Sequence, residues 1–135
     1  MGNSFSINKI NFEKMQQFIN NNNSIIINTM NNNLQNCLIF NTITIDKETE
    51  LLNNLINNNK DIQIVIYGVN SCDDSVLKKY NQLYALGFTN LYIYPGGLFE
   101  WLLLQDIYGD DSFKTTSKEL DILKYKNCEE QLLLN

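Results

Sequence analysis

Apolar residues fall into short runs and helical stripes that alternate along the chain. Ile64-Val65-Ile66-Tyr67 is a β-branched run too short for a helix, the signature of a strand buried on both faces. Val76, Leu77, Tyr80, Leu83, Tyr84 and Leu86 recur at helical spacing, and Gly87 closes that helix. Leu91-Tyr92-Ile93-Tyr94 predicts the next strand. Pro95-Gly96-Gly97 breaks it, and Leu98 to Leu104 opens a helix carrying Trp101. A strand, a helix and a strand within about thirty residues form a right-handed parallel crossover. Ligands of such sheets sit beyond the carboxyl ends of the strands, here the Gly68–Cys72 loop.

The flanking chain carries the same alternation. Ile10, Met15, Phe18 and Ile19 predict a helix from about Phe12 to Asn20. Ile25-Ile26-Ile27 predicts a central strand ending at Asn28. Cys37-Leu38-Ile39-Phe40 and Thr42-Ile43-Thr44-Ile45 are β-prone and predict one bent strand or two short ones. Asp46 is placed to cap a helix running to about Asn57, with Leu51, Leu52, Leu55 and Ile56 inward. An acidic turn follows Gly109, and Ser117 to Leu120 predicts one short helix. The expected division is a loose polar N-terminus over 1–8, one domain over 9–126, and a C-terminal tail over 127–135.

Four features of this chain resemble the rhodanese-like family of sulfurtransferase domains. They are Ile64 to Tyr67 before the loop, Leu83-Tyr84-Ala85-Leu86-Gly87-Phe88 ending the helix, Asn90-Leu91-Tyr92, and Gly96-Gly97 with Trp101 four residues on. The resemblance implies a single α/β domain with a mainly parallel five-stranded sheet flanked by helices on both faces. Trp101 matches the family's structural tryptophan. In active members the residue right after the strand is a cysteine that carries a persulfide; here it is Gly68. The family often has an aspartate at the end of the first central strand, where this chain has Asn28. The family's His-Ile-Pro-Gly-Ala-like turn has no counterpart in Leu38-Ile39-Phe40-Asn41-Thr42.

Composition narrows the chemistry. The 135 residues are 44% hydrophobic, enough for one core, and the net charge of -5 disfavours nucleic-acid binding. No apolar run is long enough to span a membrane, and no secretory leader pattern opens the chain. With no histidine, Ser–His and Cys–His catalysis are excluded within the chain. The three cysteines, Cys37, Cys72 and Cys128, are odd in number and far apart, which argues against a disulfide framework or a metal site. A reducing cytoplasmic setting fits them, and no cofactor is implied. Asparagine runs such as Asn20 to Asn23 and Asn57 to Asn59 punctuate apolar segments as turns and helix ends.

The candidate site is the loop Gly68, Val69, Asn70, Ser71, Cys72 and Asp73. A rhodanese-type loop points successive amides at one sulfur or anion, aided by the following helix end. Gly68 offers no nucleophile there. Cys72, four residues on, is the candidate catalytic residue, since a thiol at a helix start gains thiolate character. Asp73 and Asp74 oppose that gain. All ten basic residues are lysines, so the phosphatase pattern becomes Cys72 to Lys78 without a guanidinium fork. Ser71 to Asp74 also fits a weak capping box, and Gly68 with Asn70 fits simple turn chemistry. Asn70 and Ser71 remain candidates for holding a small polar ligand. Trp101, Phe99, Tyr92 and Tyr94 are expected in the core.

Met1-Gly2-Asn3-Ser4-Phe5-Ser6 matches the N-myristoylation pattern, with Gly2 as acceptor. One such chain binds membranes weakly, with a constant of about 10⁴ M⁻¹, so contact would be reversible. The two functional expectations are a catalytically degenerate module that binds a protein partner, and a thiosulfate-type sulfurtransferase with Cys72 as persulfide carrier.

Overall fold

The computed structural model describes residues 7–126. Four strands, β1 (Ser24–Asn28), β2 (Thr42–Ile43), β3 (Gln63–Tyr67) and β4 (Leu91–Ile93), form one sheet in the order β2-β1-β3-β4. Every pairing is parallel. Four helices cover it: α1 (Phe12–Ile19), α2 (Ile45–Asn58), α3 (Ser75–Ala85) and α4 (Gly97–Tyr108). Single 3₁₀ turns lie at Asn32–Leu34 and Ile122–Tyr125.

Strand alternation sorts the core into two layers. Ile26, Val65 and Tyr67 pack with Met15 and Phe18 of α1 and with Leu98, Trp101 and Leu102 of α4. Ile27, Ile64 and Ile66 face the other way, onto Leu52 of α2 and Val76, Tyr80 and Leu83 of α3. Helices therefore cover both faces of the sheet, as both-face burial of β3 requires.

The expected five-stranded sheet has four strands among the described residues. Where a further strand would lie beside β4, the chain makes one bridge: Ile10 N–H donates to Ile93 O and Ile93 N–H to Asn8 O, both at 2.8 Å. Ile7 packs on the α2/α3 layer. The β-prone stretch Cys37 to Phe40 also fails to become a strand. The Ile39 N–H is captured by the Tyr67 hydroxyl at 3.1 Å, which leaves one antiparallel bridge to Thr115. Desolvation raises the Tyr67 phenol far above its usual range, so the hydroxyl stays a neutral bridge between Ile39 and Thr42.

Helix limits differ at their caps. Helix α2 starts at Ile45 with Thr44 as N-cap, so Asp46 sits in the first turn and accepts from the Thr44 hydroxyl at 2.5 Å. Of its four expected inward residues, Leu52 is buried and the other three are half-buried. Helix α4 continues past Leu104 to Tyr108, and the expected acidic turn follows Gly109. The short helix expected at Ser117 forms as a 3₁₀ turn at Ile122 instead. On α3, Leu77, Tyr84 and Leu86 of the apolar stripe are exposed, and Val76, Tyr80 and Leu83 carry the packing. No helix among the described residues is long and apolar enough to cross a membrane.

Asn28 shows why an amide suits the end of β1. It is 1% exposed. It exchanges two hydrogen bonds with the Gln35 carboxamide at 3.1 and 2.7 Å, donates to Ile43 O at 3.2 Å, and accepts from Met30 N–H at 3.0 Å. A carboxylate there has no donor for Ile43 O. Asn28→Asp is predicted to cost about 1–3 kcal/mol at pH 7, measured by urea unfolding. Burial raises the folded pKa of the new carboxyl above its unfolded value. The deficit is therefore full above the folded pKa and shrinks as pH falls toward the unfolded one. An unchanged midpoint would show that the amide pairing contributes nothing.

Candidate functional site

The loop between β3 and α3 emerges at the carboxyl ends of β1 and β3, where the strand pairing continues one step further through Thr29 N–H to Tyr67 O at 3.0 Å. Three sets of contacts fix its shape.

The first comes from α4. Leu98 N–H donates to Gly68 O and Phe99 N–H to Val69 O, each at 2.9 Å, so the start of α4 satisfies two loop carbonyls. Gly97 makes this approach with φ +68. A Cβ on it would stand 2.7 Å from Gly68 O and 3.0 Å from Asn70 N, so only glycine fits.

The second comes from Asn70, whose side chain is buried and spent on structure. Its nitrogen donates to the carbonyls of Tyr125 and Lys126, both at 2.9 Å, and its oxygen accepts from Cys72 N–H at 2.9 Å. Asn70, one of the two candidates for holding a small polar ligand, ties the loop to the chain after α4. Ser71 is exposed on the loop's outer side.

The third is an internal anion. The Asp73 carboxylate turns back into the loop. Its Oδ2 accepts from Val69 N–H at 3.1 Å, and its Oδ1 accepts from Ser75 N–H at 3.0 Å and from the Ser75 hydroxyl at 2.5 Å. Ser75 Oγ also lies 2.8 Å from the Thr29 hydroxyl, which reaches Asp73 Oδ2 at 3.5 Å. This corrects the expected Ser71–Asp74 capping box. Asp74 is the N-cap, in helical backbone conformation and without a side-chain cap bond. Asp73 satisfies the helix start from one residue further back. Its Oδ2 also stands 2.3 Å from where a Cβ on Gly68 would be, with Val76 Cγ2 at 2.7 Å. The volume that a residue-68 side chain would need is filled by the chain's own carboxylate.

Cys72 is exposed at the rim of an open depression of about 440 Å³ that Thr29, Met30, Asn31 and Asp74 also line. Lys79 turns away to pair with Glu48 at 2.5 Å, while Lys78 lies exposed on α3 and borders a neighbouring depression with Lys79. The aromatic residues weighed as a ligand cage belong to the core. Trp101 packs edge-on against Tyr94 and Phe113 with centroids at 6.0 and 5.0 Å, and its indole N–H donates to Lys114 O at 3.0 Å. Phe99 and Tyr92 are half-buried against the same layer. Gly2 and Cys128 lie outside the described residues.

Thr29, Ser75 and Gly97 are the site residues that sequence reasoning missed. A serine two residues after an aspartate at a helix start is a legible turn signal; Thr29 has none, because only the β1–β3 pairing brings it there.

A parallel sheet with helices on both faces and a shaped loop after its central strand defines a small α/β domain. The rhodanese-like domain model matches residues 11–104, well over half of the chain, and the chain belongs to that family. Among solved structures, the Alr3790 protein from Anabaena sp. is similar at 17% identity over 93% of this chain and 90% of that one, with a TM-score of 0.59, a likeness of fold. A Rhodanese_3 like domain from the same Anabaena protein aligns at 21% identity over 60% of this chain and 85% of that one, with a TM-score of 0.48. No protein of curated function matches this chain.

Gly68→Ala is predicted to destabilise the fold by about 1–3 kcal/mol through overpacking against Asp73 and Val76. Asp73→Ala should lose a similar amount by orphaning Val69 N–H and Ser75. The double variant should lose less than their sum by at least ~0.5 kcal/mol, since each change relieves the other. Strict additivity in chemical unfolding would mean that the two groups do not compete for space.

Proposed function

We propose that this rhodanese-like domain is catalytically degenerate and works as a binding module for a protein partner. One observation carries the reading. At the head of the loop stands Gly68, with no side chain, and the room for one holds the Asp73 carboxylate. An incoming thiosulfate would have to displace a carboxylate held by Val69, Ser75 and Thr29. It would do so beside Asp74, while Lys79 is turned away to Glu48. Both features oppose a second negative charge there.

The rival reading has its own support in the exposure of Cys72 beside the depression. It makes Cys72 the persulfide carrier of a thiosulfate-type sulfurtransferase, and an assay separates the two. Thiosulfate:cyanide turnover should stay at the uncatalysed level in wild type and in Cys72→Ser alike. Turnover in wild type that vanishes in the variant would overturn the degenerate reading.

Myristoylation of Gly2 would give the module a weak, reversible hold on membranes. Protein made in eukaryotic cells should then carry a myristoyl adduct by intact mass, lost in Gly2→Ala. An unmodified amino terminus would remove the membrane contact.

A further inference from the structure

Helix α4 is apolar on both of its sides. Leu98, Trp101 and Leu102 face the core, and Gln105 is the one polar residue of the helix buried with them. Helical spacing puts Phe99, Leu103, Leu104, Ile107 and Tyr108 on the other side. Phe99 and Leu104 are half-buried there, while Leu103, Ile107 and Tyr108 are 39%, 68% and 67% exposed. A surface helix ordinarily turns polar residues outward, and a helix that is apolar all round is a covered one. The outer face of α4 has the composition of a covered face and the exposure of an open one.

The charge at this face has one sign. Helix α4 carries no lysine, and no basic residue stands in its last turn. Its carbonyl end, at Ile107 and Tyr108, therefore keeps its negative partial charge. Asp106 precedes Ile107 and Asp111 follows just beyond the helix; both are exposed, and neither makes an ion pair among the described residues. The neighbouring groups are already engaged. Asp110 pairs with Lys118 at 3.2 Å, Lys114 lies over the Phe40 ring, and Glu100 accepts from the Tyr94 hydroxyl at 2.5 Å. A second copy of this chain would bring acid against acid, on molecules of net charge -5. An anionic bilayer would be repelled by the same carboxylates. A basic surface meets them with opposite charge.

We propose that the outer face of α4 docks an amphipathic helix of a partner protein, with an apolar side bordered by lysine or arginine. Leu103 and Ile107 are the anchors that the partner's apolar side chains cover. Asp106, Asp111 and the carbonyl end of α4 receive its basic border and set its direction. From Phe99 to Tyr108 the face is roughly 14 Å long, at about 1.5 Å per residue, which engages two to three turns of the partner. This partner class deepens the binding-module reading and rests on it.

The test uses the full chain and a fluorescein-labelled peptide of about 18 residues, because shorter helices are marginal in water. The peptide carries leucine on one helical side and lysine on the other, and a twin carries glutamate for every lysine. Fluorescence anisotropy should show saturable one-to-one binding of the lysine peptide and none of the twin. Ile107→Asp and Leu103→Asp should each weaken binding at least about tenfold, as loss of a central anchor does. Asp106→Lys should weaken it by a smaller factor and flatten its dependence on salt. Leu77→Asp, at an exposed leucine on α3, should leave it unchanged. All four positions are exposed, and an unshifted urea midpoint confirms that each variant is folded. Five results would each overturn the proposal: no saturable binding, equal binding of the twin, the same loss in Leu77→Asp as in Ile107→Asp, a dimer in sedimentation that Ile107→Asp dissolves, or binding that appears only after residues 127–135 are deleted. Thiosulfate turnover does not enter this readout, so this docking face and the catalytic degeneracy can fail separately.

Discussion

The Asp73 carboxylate is the interaction on which the geometry of this loop depends. It binds the Val69 amide in the loop beyond β3, the amide and hydroxyl of the first residue of α3, and reaches the Thr29 hydroxyl just beyond β1. Charge-assisted hydrogen bonds are roughly twice as strong as neutral ones, and here one anion collects them from three segments. The α3 amino end places positive partial charge on the same spot. A loop of this kind concentrates donors that want an anion. In this chain the anion is internal, covalently attached and always present.

That internal ligand explains why the surrounding chain is built so tightly. Gly97 allows α4 to press on the loop backbone and to donate to Gly68 O and Val69 O. Asn70 draws the segment after α4 against the opposite side. Each contact removes freedom that a loop would use to admit a guest. Access remains on the rim, where Cys72 and Asp74 are exposed. The arrangement separates an occupied interior from an exposed edge.

Much of the fold was legible because its determinants are local and periodic. The β3–α3–β4–α4 block announces itself through short β-branched runs, a helical stripe and two glycine breaks, and the family resemblance rests on the same residues. The stripe on α3 overstated burial, since Leu77 and Leu86 fit the helical period yet are exposed. Cys37 to Phe40 has strand propensity, but a tyrosine hydroxyl from β3 took the amide of Ile39. The site was harder still. The reach of Asp73 back to Val69 depends on side-chain direction in a loop with no period, and the bonds from Asn70 span 55 and 56 residues. Propensity carries no information about either.

The consequence for chemistry follows from where charge can go. A nucleophile at position 68 would need the volume that Asp73 fills, and an anionic substrate would need the donors that Asp73 occupies. A side chain placed at position 68 therefore meets the Asp73 carboxylate. For that side chain to fit, the carboxylate must leave, and with it goes the cap that starts α3. Glycine at 68 and aspartate at 73 thus form one coupled solution: the small residue admits the carboxylate, and the carboxylate keeps the loop closed around the vacancy left by the small residue. Cys72 stands outside that lock, exposed at the rim.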